Sequence, residues 1–79
     1  MAQHRIVLHY VFTPLPDPTG VMLWQRALCE GLGLRGRIIV SPHGLNATVG
    51  GEVRALKQYT RTTRSHPGFR DTVLKWSDG

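Results

Sequence analysis

The chain has 79 residues, of which 41% are hydrophobic and 19% charged, with a formal net charge of +5. That composition belongs to one small globular domain, excluding a disordered tail and leaving little volume for a deep enzyme pocket. A single cysteine excludes an internal disulfide framework and fits a reducing compartment, and no apolar stretch approaches the roughly 20 residues that a membrane span needs.

Met1 to Arg5 leads straight into a strand-like run and does not resemble a secretory leader, so the cytoplasm is the expected location and no membrane partner is expected. Arg5 to Phe12 (RIVLHYVF) is β-branched and aromatic and predicts a first strand. By the period of two, Ile6, Leu8, Tyr10 and Phe12 share one face. Arg5, Val7, His9 and Val11 share the other, which reads as the wetter one. The prolines of Thr13 to Pro18 end the strand, Asp17 is placed to cap a helix, and Pro18 suits its first turn.

From Thr19 to Leu32, Val21, Trp24, Ala27, Leu28, Gly31 and Leu32 trace one helical face. Gln25, Arg26, Cys29 and Glu30 fall opposite, which leaves Cys29 half exposed. Gly33 predicts a left-handed helix end. Arg37 to Ser41 reads as a second strand, Pro42 to Leu45 as a turn or wide loop, and Asn46 to Gly50 as a short third strand. Glu52 to about Ser65 reads as a second helix with Val53, Leu56, Tyr59, Thr60 and Thr63 on one side. Its threonines are expected to loosen the last turn. His66-Pro67-Gly68 closes that helix, and Thr72 to Trp76 is a fourth strand.

The order β-α-β-β-α-β predicts an α+β fold of ferredoxin-like plan, a four-stranded antiparallel sheet with both helices on one face. Trp24, Leu28, Ile38, Val49, Leu56 and Leu74 are the expected core.

The charge is unevenly placed. Residues 53–70 hold Arg54, Lys57, Arg61, Arg64 and Arg70 and no acid, so this segment carries the whole net charge. Arg54, Lys57, Arg61 and Arg64 are spaced 3, 4 and 3 apart and form one row along the second helix. The row centres roughly 130° from the apolar side at 3.6 residues per turn. Aligned like charges repel by a few tenths of a kcal/mol per pair, a cost that phosphate binding would offset. The row is therefore the candidate contact for a polyanion such as RNA.

Other constellations carry little. Cys29 sits near a helix C-terminus, where the dipole disfavours a thiolate. The four histidines show no metal-ligand spacing, so no metal and no cofactor are expected. Gly31 to Gly36 matches a phosphate-loop pattern in letters only, because it follows a helix and precedes a strand. Arg35 to Val40 opens with a basic-glycine pair but has no aromatic after it, so no base-stacking platform is expected on the sheet.

Three stretches together, Phe12 to Pro18, Leu32 to Ile38 and Gly44 to Gly51, with the Lys75-Trp76-Ser77 ending, resemble the N-terminal domain of the rhodanese-related tRNA uridine hydroxylases, which oxygenate a wobble uridine. The resemblance spans residues 6 to 77 and implies an acylphosphatase-like domain of ferredoxin-like topology. It marks Pro42, Gly44 and Asn46 as the family's turn, with His43 standing where a glutamate is usual.

On this resemblance, residues 1–79 correspond to an excised N-terminal domain, and the catalytic cysteine belongs to a rhodanese domain that this stretch lacks. The domain is expected to be monomeric, to have no catalytic residue and no activity alone, and to help hold tRNA. The alternative is a structural domain that packs on the rhodanese domain without RNA contact. Acylphosphatase activity is not expected, because Thr13 to Pro18 carries neither the arginine nor the glycine of the phosphate loop and Asn46 alone cannot supply it.

Overall fold

Four strands and two helices follow one another in the computed structural model, which describes residues 3–78; Met1, Ala2 and Gly79, part of the leader reading and the end of the 1–79 domain, lie outside the described residues. The elements are β1 (His4–Phe12), α1 (Pro18–Gly31), β2 (Arg35–Ser41), β3 (Gly44–Glu52), α2 (Val53–Arg64), a 3₁₀ turn (Pro67–Phe69) and β4 (Val73–Asp78). The sheet order is β2-β3-β1-β4, and every neighbouring pair is antiparallel. Tyr59 of α2 bonds to both Gln25 of α1 and His9 of β1, so both helices lie on one side of the sheet. This is the ferredoxin-like plan expected from the element order.

Local signals place the helix ends as predicted. Asp17 caps α1, its carboxylate accepting from the Gly20 amide at 3.0 Å, with Pro18 in the first turn. Gly33, at φ 70°, lets the chain leave α1 in the left-handed region that a side chain disfavours. The last turn of α2 is closed rather than loosened. Thr60 Oγ1 donates to the Lys57 carbonyl, and Thr63 Oγ1 accepts from Gln25.

Strands run longer than their β-rich letters suggest. β2 begins at Arg35 and β3 covers Gly44–Glu52, so Pro42 and His43 alone form a tight hairpin turn. Ladder pairing with β1 carries β3 through Gly50 and Gly51 despite their poor strand propensity. Gly44 pairs with Phe12, and a Cβ there would stand 2.1 Å from the Val11 carbonyl oxygen. Only glycine permits that approach of β3 to β1.

The interior corrects two predicted faces. In β1, Val7 and His9 are buried under the helices, whereas Leu8, Tyr10 and Phe12 are exposed, so the expected inner and outer faces are exchanged. In α1, Gln25 and Cys29 are buried and Ala27 is exposed, which rotates the expected inward face and removes the half-exposed reading of Cys29. Both exchanges have one cause. His9 and Gln25 satisfy each other's polarity through Tyr59, so burying them strands no hydrogen-bonding group. Of the expected core, Val49 and Leu56 are fully buried, while Trp24, Leu28, Ile38 and Leu74 pack partly buried against it.

Candidate nucleic-acid interface

The row on α2 is displayed as its spacing requires. Leu56, Tyr59, Thr60 and Thr63 face the core, while Arg54, Lys57, Arg61 and Arg64 are exposed. An open groove of about 470 Å³ along the helix is lined by Lys57, Thr60, Arg61, Arg64 and Ser65. Arg64 is already partly committed, because its guanidinium donates to the Thr72 carbonyl at 3.3 Å. Arg61 and Arg64 also lie in the last helical turn, where cations complement the carbonyl end of the dipole. Within this row, Arg54, Lys57 and Arg61 make no side-chain hydrogen bond to the described residues.

Gly44 and Asn46 line a shallow cleft beside Tyr10 and Phe12, and Pro42 does not. The Pro42 carbonyl accepts from the Leu15 amide and the His43 carbonyl from the Thr13 amide, each at 3.0 Å. The β2–β3 turn thereby pins the loop after β1. These are main-chain bonds that do not depend on the side chain at position 43, so the turn closes with His43 in place. Asn46 lies on the exposed side of β3, paired with Tyr10 and Ile39.

The most perturbed groups form a sealed relay. His9 Nε2 lies 2.7 Å from the Tyr59 hydroxyl, and His9 Nδ1 lies 3.3 Å from Thr72 Oγ1. Tyr59 donates to Gln25 Oε1, and Gln25 Nε2 donates to Thr63 Oγ1 at 3.1 Å. With its proton directed to Gln25, the Tyr59 oxygen can accept from His9 Nε2–H, while the Thr72 hydroxyl beside Nδ1 donates to the Tyr10 carbonyl at 3.1 Å.

Burial, and secondarily the Arg64 charge, lower the His9 pKa to about 4. Burial likewise holds the Tyr59 phenol and the Cys29 thiol protonated. Side chains buried this fully reach no substrate, so the relay is structural. A separate groove of about 310 Å³ between α1 and β2 is lined by Met22, Arg26, Cys29, Glu30, Leu34 and Ile38 among others, and the Cys29 thiol makes no hydrogen bond among the described residues. Among the described residues no cluster of three metal-ligating side chains occurs, and no helix is long and apolar enough to cross a membrane.

Arg35 to Val40 lacks an aromatic and so predicts no base-stacking platform on the sheet, yet the far side of the sheet exposes two aromatics on β1, Tyr10 and Phe12. The strand-pair registers align Val73, Tyr10, Asn46 and Ile39 in one row, with Phe12, Gly44 and Ser41 beside it. The next row holds Lys75, Leu8, Thr48 and Arg37. Phe12 is 85% exposed and Tyr10 41%, with ring centroids 6.0 Å apart. Sequence reasoning missed them because it looked for aromatics on β2 and assigned the even positions of β1 to the interior. The signal was present in Tyr10 and Phe12, two apart on one strand face.

The family description "UPF0176 acylphosphatase like domain" matches residues 4–79. Among curated proteins, the chain is 66% identical over 79 residues to a tRNA uridine(34) hydroxylase of Pseudarthrobacter chlorophenolicus, covering all of this chain and 27% of that protein. It is 60% identical over 79 residues to one of Corynebacterium diphtheriae, covering all of this chain and 25% of the relative. A third, from an Arthrobacter species, is 63% identical over 79 residues, covering all of this chain and 27% of the relative. The chain therefore spans about a quarter of the length of the curated relatives it matches.

Proposed function

Because the chain belongs to the acylphosphatase-like domain family matched over residues 4–79, we propose that it serves as the non-catalytic N-terminal domain of a tRNA uridine hydroxylase and contributes tRNA contact through α2. The relatives are named as tRNA uridine(34) hydroxylases, which supports tRNA as the partner. In this reading the oxygen-dependent chemistry on the wobble uridine belongs to the rhodanese domain implied by the family resemblance.

The observation that carries the RNA contact is the exposed row Arg54, Lys57 and Arg61, with Arg64 at its end. The segment bearing it holds no acid. Such a row neutralises backbone phosphates without reading bases, so it supplies affinity and position rather than sequence choice.

The test is the salt dependence of tRNA binding. Each neutralised phosphate releases counterion, so the slope of log K against log salt is expected at about −3 to −4. Affinity should fall in the 10⁻⁴ to 10⁻⁶ M range typical of non-specific contacts. Lys57→Gln with Arg61→Gln should flatten the slope by roughly two. Arg64 is left out of the pair because it ties α2 to Thr72. Arg26→Gln on α1 is the control. Arg5 is unsuited, because it lies over the Trp76 ring at 5.7 Å and pairs with Asp78 at 3.4 Å. If the double variant binds tRNA with the wild-type slope, the row is a solvated face and the proposal falls.

A further inference from the structure

The sheet face opposite the helices is uncovered and has a chemical layout of its own. Along it, Tyr10 and Phe12 stand on the central strand β1, flanked by Leu8, Val73 and Ile39. Leu8 and Val73 are each 42% exposed and Ile39 is 54% exposed, a concentration of apolar surface that a small soluble domain does not normally leave bare. A cleft of about 170 Å³ runs beside the aromatics, lined by Tyr10, Phe12, Ile39, Ser41, His43 and Asn46 among others. Asn46 and Thr48 supply hydrogen-bonding groups in the middle of this face.

The charges nearest the rings are of one sign. Lys75 on β4 and Arg37 on β2 sit on either side of Leu8, and Arg35 follows one row further along. The acid among the aligned strand positions of this face is Glu52, which pairs with His4 at the end remote from Phe12. Exposed rings on a central strand, amide and hydroxyl groups between strands, and cations on both flanks are what an unpaired nucleic-acid strand requires. Bases stack on rings whatever their identity, and flanking cations neutralise the backbone. A surface built only to meet apolar protein would have no need of the cations Lys75 and Arg37 in the row next to Tyr10.

We propose that this open sheet face binds an unpaired RNA segment, with Tyr10 and Phe12 stacking on bases, Asn46 hydrogen-bonding a base edge, and Arg37 and Lys75 taking the flanking phosphates. The rings are tilted 59° to each other, so each presents its own face to a splayed base rather than forming one continuous stack. The proposal rests on the reading that the domain serves a tRNA enzyme, and it adds the part of the RNA that the domain holds. The face and α2 lie on opposite sides of the sheet, so they serve different RNA segments, unpaired bases here and backbone phosphates there. A wobble uridine lies in such an unpaired loop.

The experiment uses the 79-residue chain and a fluorescent heptauridylate, read by anisotropy at low salt, with a blunt RNA hairpin as the paired competitor. Wild type is expected to prefer the unpaired probe. Tyr10→Ala and Phe12→Ala should each weaken it by about 5- to 150-fold, the range for losing one base-stacking ring. Tyr10→Phe and Phe12→Tyr should retain binding, because stacking needs the ring and not the hydroxyl. Thermal melts of all four variants keep a folding defect from passing as a binding defect.

Lys57→Gln with Arg61→Gln should weaken heptauridylate and the hairpin alike and keep the preference for the unpaired probe, whereas Tyr10→Ala and Phe12→Ala should remove that preference, so failure of the α2 reading and failure of this one are separable. Alanine variants that bind heptauridylate as wild type does would overturn the proposal, as would a wild type that shows no preference for the unpaired probe. A sedimentation change on Phe12→Ala without loss of RNA affinity would also overturn it, assigning the face to a protein contact.

Discussion

Lowering the pH from 7.5 to 4.5 should destabilise the domain through one residue, His9. Its imidazole is 1% exposed and is held neutral by burial and by the nearby Arg64 charge, which places its folded pKa at about 4 against 6.5 in the unfolded chain. The folded pKa is the lower one, so between these values the unfolded state binds the extra proton. The stabilisation is complete above about pH 6.5 and is lost as pH falls towards 4. At 1.36 kcal/mol per unit, the loss at pH 4.5 relative to 7.5 is about 2.5 kcal/mol.

A domain of this size has a total stability on the order of 5 kcal/mol, and each kcal/mol moves its melting point by about 4–8 °C. The melting temperature should therefore drop by about 10–20 °C, read by circular dichroism at the two pH values. In His9→Leu the Gln25–Tyr59 hydrogen bond remains possible and His4, His43 and His66 are retained, so most of the difference between the two pH values should vanish. Equal wild-type melting at both pH values, or an undiminished difference in His9→Leu, would refute the reasoning.

Tyr59→Phe removes the hydroxyl shared by His9 and Gln25 and leaves both buried groups short of a partner, so urea unfolding should show a loss of about 2–3 kcal/mol with an unchanged denaturant slope. Gly44→Ala would drive a Cβ into the Val11 carbonyl oxygen, and a loss of at least about 2 kcal/mol is expected in the same assay; a neutral result would mean that β1 and β3 can separate at the Phe12–Gly44 pair without penalty. Cys29, 8% exposed at the edge of the α1–β2 groove and with its thiol pKa raised by burial, should react with a disulfide reagent well below the rate of the same thiol in the urea-unfolded chain, and equal rates would contradict its placement.

Local chemistry was enough to place the elements, and tertiary packing decided which way they face. Asp17, Pro18 and Gly33 act through their own backbone and nearest turns, so the bounds of α1 could be read from letters. The row Arg54, Lys57, Arg61 was legible for the same reason, since helical spacing alone aligns it. Strand facing was not legible in β1, because both faces carry apolar residues and periodicity cannot rank two half-apolar sides. What buries Val7 and His9 is the Tyr59 hydroxyl, fifty residues away from His9 in the chain, meeting Gln25 from the other helix. A histidine and a glutamine become interior residues only when such partners arrive, and that exchange is also what turns Tyr10 and Phe12 outward. Composition and spacing determined the ferredoxin-like order and the basic helix. The open aromatic face exists only because three side chains distant in sequence satisfy one another's hydrogen bonds inside the fold.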